Sequence, residues 1–272
     1  MFCWSASNKR PVISNSYQVV SHFHSVITIV IPAYNEEDRL GTGLSGILAY
    51  LNAHYPDYEL IIVNDGSTDR TAEVVTGAIA HEPRARLISY QPNRGKGYAV
   101  RTGVLVSRGD PVLFMDADLS TPLEEIPRIL TRLSGADVVI GSRGLPEANI
   151  QKKPSPFRQF ASWLFDRIKY ELVGLRAFKD TQCGFKVFRG GVARQLFALG
   201  KVDRFMFDVE ILFLAERAGL TIREMPIAWA DMPGSKVRFL EGVINMFRDL
   251  WRIRRLHPGR IVIQRESAPV PH

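Results

Sequence analysis

Cysteine is almost missing: Cys3 and Cys183 are the only two in 272 residues. Two thiols so far apart give neither a disulfide framework nor a zinc-ligand spacing, which points to a reducing compartment. No histidine stands near Cys183 in sequence, so it reads as a small packed residue rather than a nucleophile. Long apolar runs are lacking as well. The longest, Val26–Ile31, falls far short of the ~20 residues that cross a bilayer. Residues 1–25 contain SNSYQ and SHFHS but no uninterrupted apolar stretch, so they do not read as a signal peptide and are expected to form a poorly ordered arm. Internal repeats and convincing linkers are also wanting. The expectation is one domain over residues 26–256, followed by a tail over 257–272.

What is present is ordinary in amount and uneven in placement. The chain is 46% hydrophobic and 23% charged, with a net charge of +7, a balance that suits a globular core. Residues 151–260 hold 21 Lys and Arg against 11 Asp and Glu, whereas the rest holds 14 against 17. A basic C-terminal half calls for an anionic partner: phosphates, a membrane surface or nucleic acid.

From Val26 to Arg143 short apolar runs alternate with amphipathic stretches. Strands are expected at 26–34, 58–65, 84–90, 111–118 and 136–143, and helices at 38–54, 67–82, 96–107 and 121–133. In the first helix Leu40, Leu44, Ile47, Leu48 and Leu51 recur at helical spacing. Apolar strands alternating with helices define an α/β fold with a mostly parallel sheet covered on both faces. Beyond residue 143 the pattern loosens. Residues 145–157 read as a loop, 157–174 and 205–219 as helices, 180–188 as a turn entering a strand, and 221–229 as a strand. Residues 237–256 form a basic amphipathic helix.

Ligands of open parallel sheets bind outside the carboxyl ends of the strands. Polar residues cluster there: Asn35 and Glu36, Asp65 and Asp69, Asp116 and Asp118, and Arg143. In Asp116-Ala-Asp118 two carboxylates stand two residues apart. On an extended strand they share one face and suit a single hard cation, Mg²⁺ or Mn²⁺, bridging a substrate diphosphate.

Eight segments in order carry a family resemblance: PAYNEE (32–37), VNDGSTD (63–69), NRGKGYAVRTG (93–103), DADLST (116–121), GSR (141–143), DTQCGFKVF (180–188), FDVE (207–210) and WADMPGSKV (229–237). Together they resemble the family-two glycosyltransferases of the GT-A fold, within them the polyprenyl- and dolichyl-phosphate sugar synthases, and most of all the dolichyl-phosphate β-glucosyltransferase branch. The resemblance spans residues 26–256. It implies that Pro32, Ala33, Tyr34 and Glu36 line a nucleotide pocket, that Asp65 reads the base, and that Lys96 approaches the nucleotide-sugar phosphates. Asp116 and Asp118 would bind the metal, with Asp118 also at the reacting centre. Arg143, Ser235 and Lys236 would hold an acceptor phosphate, and Asp180 would sit beside the reacting atoms. Some relatives supply a third metal ligand, a Gln two residues past the second Asp; here that position is Ser120.

The implied reaction is inverting transfer of a hexose, glucose from UDP-glucose foremost, onto polyprenyl or dolichyl phosphate. UDP-GalNAc or GDP-mannose as donor, and a soluble acceptor, remain alternatives. Such a lipid acceptor implies peripheral attachment at the cytoplasmic face of a membrane, alone or with a separate membrane-protein partner. The aromatics and cations of helices 157–174 (Arg158, Arg167, Lys169) and 237–256 (Trp251, Arg252, Arg254, Arg255) suit a bilayer interface. Nucleic acid is not expected as a partner, because no recognition motif accompanies the charge and a carboxylate rim repels phosphates. A nucleotidyltransferase would want a Gly-rich basic loop after the first strand, where PAYNEEDRL is acidic.

Overall fold

The structure is a computed structural model that describes residues 26–150, 167–230 and 239–265, with the backbone alone over 239–245. Its centre is a seven-stranded sheet. The strands are β1 (Ile27–Ala33), β2 (Tyr58–Asp65), β3 (Ala85–Tyr90), β4 (Val112–Met115), β5 (Val138–Ser142), β7 (Phe185–Phe188) and β8 (Ile222–Pro226), in the order β3-β2-β1-β4-β7-β5-β8. Two short strands, β6 (Asn149–Ile150) and β9 (Ala228–Trp229), pair separately. All pairs in the large sheet are parallel except those of β7, which runs antiparallel between β4 and β5.

Helices cover both faces: α1 (Glu37–His54), α2 (Thr71–Ile79), α3 (Lys96–Leu105), α4 (Glu125–Leu133), a helical stretch α5 (167–173), α6 (Gly190–Leu199), α7 (Phe207–Arg217) and α8 (Phe239–Leu256). Each helix lies down because one stripe is apolar. On α1, Leu40, Leu44, Ile47 and Leu51 are buried, and each such side chain contributes roughly 1.5–3 kcal/mol by leaving water. The sheet therefore separates two cores, one under α1 and α4 and one under α3, α6 and α7.

Most expected elements are recovered, although α4 starts at Glu125 rather than 121 and the strand expected over 221–229 splits into β8 and β9. Four further differences have a physical cause. The second helix starts at Thr71 rather than Ser67, because residues 66–70 turn across the rim. β4 ends at Met115, so Asp116 and Asp118 lie in a loop and strand alternation does not align them. Helix α6 was not expected; it opens on Gly190-Gly191, poor helix formers that hide the pattern. Finally, part of the expected tail belongs to the folded body. Gln195 and Gln264 exchange hydrogen bonds, Arg217 donates to the Gly259 carbonyl, and Ile261 and Ile263 pack on the core. Residues 1–25 and the first part, 157–166, of the helix expected over 157–174 lie outside the described residues.

Candidate active site

β1 feeds β2 and β3 on one side, while β4 lies on its other side. The connections diverge between Ala33 and Met115, and a crevice at such a switch point is the binding position of an open α/β sheet. On the β1 side Ala33 is buried and Tyr34 is exposed. Asn35 follows in the left-handed region (φ 53°), a conformation Asn tolerates better than most residues. Its amide donates to Ser67 Oγ (2.9 Å), and its side-chain oxygen accepts from the Thr68 amide (2.8 Å). The Glu36 amide donates to Thr71 Oγ1, and Glu36 pairs with Arg39. The PAYNEE and NDGSTD loops are thus tied into one wall.

Asp65 closes β2 with a buried carboxylate. It accepts from the Arg94 and Gly95 amides, Asn93 Nδ2 and the Tyr90 hydroxyl, all at 2.8 Å. Four donors fill the lone pairs of one carboxylate. Its geometry is that of a group holding the RGKG turn in place.

That turn delivers Lys96 to Asp116, with Nζ 2.5 Å from Oδ1. Burial opposes the lysine's charge, but the Asp116 and Asp208 carboxylates outweigh it and hold the ammonium above its ordinary range. The Asp116 amide donates to the Gly184 carbonyl (3.1 Å). A Cβ on Gly184 would lie 2.0 Å from Asp116 Oδ2, so only glycine fits beside this carboxylate. Leu119 sits in the left-handed region (φ 52°), a strained state for a leucine of the kind that gathers at functional sites. The bend lets the Ser120 amide donate to Asp118 Oδ1 (3.0 Å).

Arg143 lines the same hollow as Asp116 and Asp118. Its Nε and NH2 grip Asp180 at 2.6 and 3.1 Å, and its own amide adds a 3.0 Å bond. Asp180 also accepts from the Gln182 amide. Burial works to raise the Asp180 carboxyl, and the guanidinium overcomes it, leaving the group at about 2. The Arg143 guanidinium also lies 5.4 Å from the centre of the Trp229 ring. Met115, Asp116, Asp118, Ser120, Thr121, Arg143, Gln182, Gly184 and Trp229 enclose a cavity of about 80 Å³. The structure therefore brings both Asp-x-Asp carboxylates and Arg143 to one hollow, with Asp180 immediately behind Arg143 and Lys96 beside Asp116. Ser235 and Lys236 lie outside the described residues. Gln182, Gly184 and Trp229 went unassigned from sequence although all three stand inside resembling segments.

Four further buried side chains lie outside the cavity lining. Cys183 is buried and its thiol is pushed up to about 12, chiefly by that burial, which leaves no nucleophile. Asp208 pairs with buried Lys186 (2.5 Å), and Glu210 with His257 (2.7 Å). Lys169, expected at a bilayer surface, is instead buried against Thr181 Oγ1.

The donor set can be tested against a divalent cation. Among the described residues no group of three or more His, Cys, Asp or Glu suits a metal. Asp116 and Asp118 nevertheless share one cavity, and Asp118 Oδ2 has no protein partner among those residues. Mg²⁺-type ions are held by one or two carboxylates together with substrate phosphates and water, and this pair fits that arrangement.

A mostly parallel sheet with a carboxylate pair at its switch point is the architecture of the GT-A glycosyltransferase fold. The sequence agrees: residues 28–197 match glycosyl transferase family 2, and the chain belongs to that family. A dolichyl-phosphate beta-glucosyltransferase of Trichomonas vaginalis is 38% identical over 90% of this chain and 75% of its own length. One from Dictyostelium discoideum is 36% identical over 91% and 76%. In fold, the chain resembles Mycobacterium tuberculosis glucosyl-3-phosphoglycerate synthase crystallised with Mn²⁺, UDP and glucosyl-3-phosphoglycerate. That likeness has a TM-score of 0.61 at 20% identity and covers 92% of this chain and 85% of that one.

Proposed function

We propose that this glycosyltransferase moves glucose from UDP-glucose onto dolichyl or a related polyprenyl phosphate. The observation that carries the reading is that Asp116, Asp118 and Arg143 line one cavity. The names of the relatives supply glucose and dolichyl phosphate.

The chemistry follows from charge. A phosphate monoester has a second pKa of ~6 and is largely dianionic at neutral pH, so attack needs no base. An acceptor oxygen bonds to the anomeric carbon as the bond from that carbon to the UDP oxygen breaks, and UDP leaves with the electron pair. Displacement from the opposite face turns an α-linked donor sugar into a β-linked product. The obstacle is repulsion between two phosphates. Mg²⁺ or Mn²⁺ on Asp116 and Asp118 would neutralise the charge growing on the leaving diphosphate. Lys96 adds a second cation on that side, and Arg143, with Ser235 and Lys236, receives the acceptor phosphate. Asp180 orients Arg143; a carboxyl at about 2 that is already fully paired is a poor base. Pro32, Ala33, Tyr34 and Glu36 form the nucleotide side, and Asp65 acts there through the turn it holds.

The acceptor's tail requires a membrane surface. No helix among the described residues is long and apolar enough to cross a bilayer. On α8, Leu250 and Ile253 are buried, while Arg248, Trp251, Arg252 and Arg255 are exposed at helical spacing, with Arg255 stacked 3.4 Å from the Trp251 ring. This face supports attachment to an anionic, cytoplasmic leaflet. Incubating the protein and polyprenyl phosphate with a panel of nucleotide sugars tests the reading. Lipid-linked glucose from UDP-glucose is expected; a preference for another donor would reassign the sugar, and no lipid product from any donor would reject the acceptor.

A further inference from the structure

Lys96 reaches the site only because the RGKG turn is held, and the turn has a second support besides Asp65. The Tyr98 amide donates to the Asp203 carbonyl (3.0 Å). A Cβ on Gly97 would lie 2.6 Å from the Val202 carbonyl oxygen and 2.5 Å from Phe207 Cβ, so the segment before α7 is pressed against the start of α3. Arg101 ties it from the side, donating to the Gly200 carbonyl (3.1 Å) and pairing with Asp203.

This supporting segment is itself irregular and cannot hold its own backbone. Its amides at Lys201 and Val202 end on Glu210, at 3.0 Å and 2.9 Å, and the same carboxylate meets His257 Nε2 at 2.7 Å. Glu210 is completely buried. A buried carboxylate is costly unless each acceptor site is filled, and here the donors come from the α6–α7 connection and from the residue that follows α8. We infer that Glu210 is a positioning residue: it fixes segment 200–207, and that segment fixes the RGKG turn and Lys96. The chain of contacts also joins the end of the exposed basic helix to the donor side of the cavity. Its effect on catalysis rests on the donor role proposed for Lys96; its effect on the turn does not.

The test uses the full chain with Glu210→Gln, which keeps the shape but turns one acceptor into a donor facing other donors, and Arg101→Ala, which loosens the same segment from outside. Amide exchange at Tyr98 and KM for both substrates are measured, together with UDP affinity in Mn²⁺. Faster exchange at Tyr98 is expected in both variants, with KM for UDP-glucose raised about tenfold, the scale of a lost charge-assisted hydrogen bond. KM for polyprenyl phosphate should stay within about twofold, a split that general loosening of the fold does not produce. If Glu210→Gln does not fold, Arg101→Ala gives the same readouts. Unchanged exchange at Tyr98, or equal shifts in both KM values, overturns the inference. Faster exchange in variants of a wild type that binds no UDP upholds the support and removes the donor assignment.

Discussion

Gly184 and Asp116 occupy one another's space: a methyl group on Gly184 would lie 2.0 Å from Oδ2 and 2.5 Å from Oδ1 of that carboxylate. Gly184→Ala must therefore move Asp116 or rotate it away. Because a displacement of about 1 Å at a reacting site can cost ~10²-fold, kcat/KM is expected to fall by that order. Thermal unfolding should change little, since the glycine borders the open cavity. Steady-state kinetics beside a melting curve check both halves.

Lys96 Nζ contacts Asp116 Oδ1 at 2.5 Å, so in the absence of donor it is expected to compete with a divalent cation proposed to bind there. Lys96→Met removes the competitor and one of the positive charges meant for the diphosphate. Mn²⁺ alone should bind this variant more tightly than wild type, while KM for UDP-glucose rises. Titration followed by electron paramagnetic resonance gives the first quantity, and initial rates the second. Weaker binding of Mn²⁺ alone would contradict competition at Asp116.

Asp180 is expected to work through Arg143. Asp180→Asn keeps one acceptor but releases the guanidinium, so KM for the lipid phosphate should rise about tenfold, the cost of a weakened charge-assisted pair. The pH–rate profile between pH 6 and 8 should keep its shape. Loss of a limb of that profile would mark Asp180 as a base.

The same pair sets a pH window for stability. The folded Asp180 carboxyl lies at about 2, below the ordinary aspartate value of 3.8, because the Arg143 guanidinium outweighs burial. A depressed carboxyl stabilises the fold above its unfolded value, and that contribution disappears as pH falls through the folded one. It amounts to about 2 kcal/mol, an order-of-magnitude figure for this shift. Wild type should exceed Asp180→Asn in melting temperature by a constant margin from pH 8 to 5. The margin should shrink as pH falls from 4 toward 2.

The fold was legible where periodicity is strong. Buried strands such as Ile27–Ala33 and the Leu40–Leu51 stripe announce themselves. The direction of β7 did not, because the short run Phe185-Lys186-Val187-Phe188 reads alike in either sense. Asp116, Asp118 and Arg143 were visible as charges following apolar runs. Their neighbours were harder to assign. Gly184 matters only through an atom it lacks, and Trp229 through a ring brought from a distant strand. Glu210 has no role legible in the sequence, because its partners His257, Lys201 and Val202 are chosen by tertiary packing.

In the proposed reaction Asp116 and Asp118 hold a divalent cation against the donor diphosphate while glucose passes to a lipid phosphate. This is measured most directly as formation of polyprenyl-phosphate glucose from UDP-glucose by purified protein, with EDTA, with EDTA plus excess Mn²⁺, and with Asp118→Asn, the linkage being read by NMR. A β-linked product is expected that vanishes in EDTA, returns with Mn²⁺ and is nearly lost in the variant. An α linkage, or undiminished product in EDTA, would contradict this reaction.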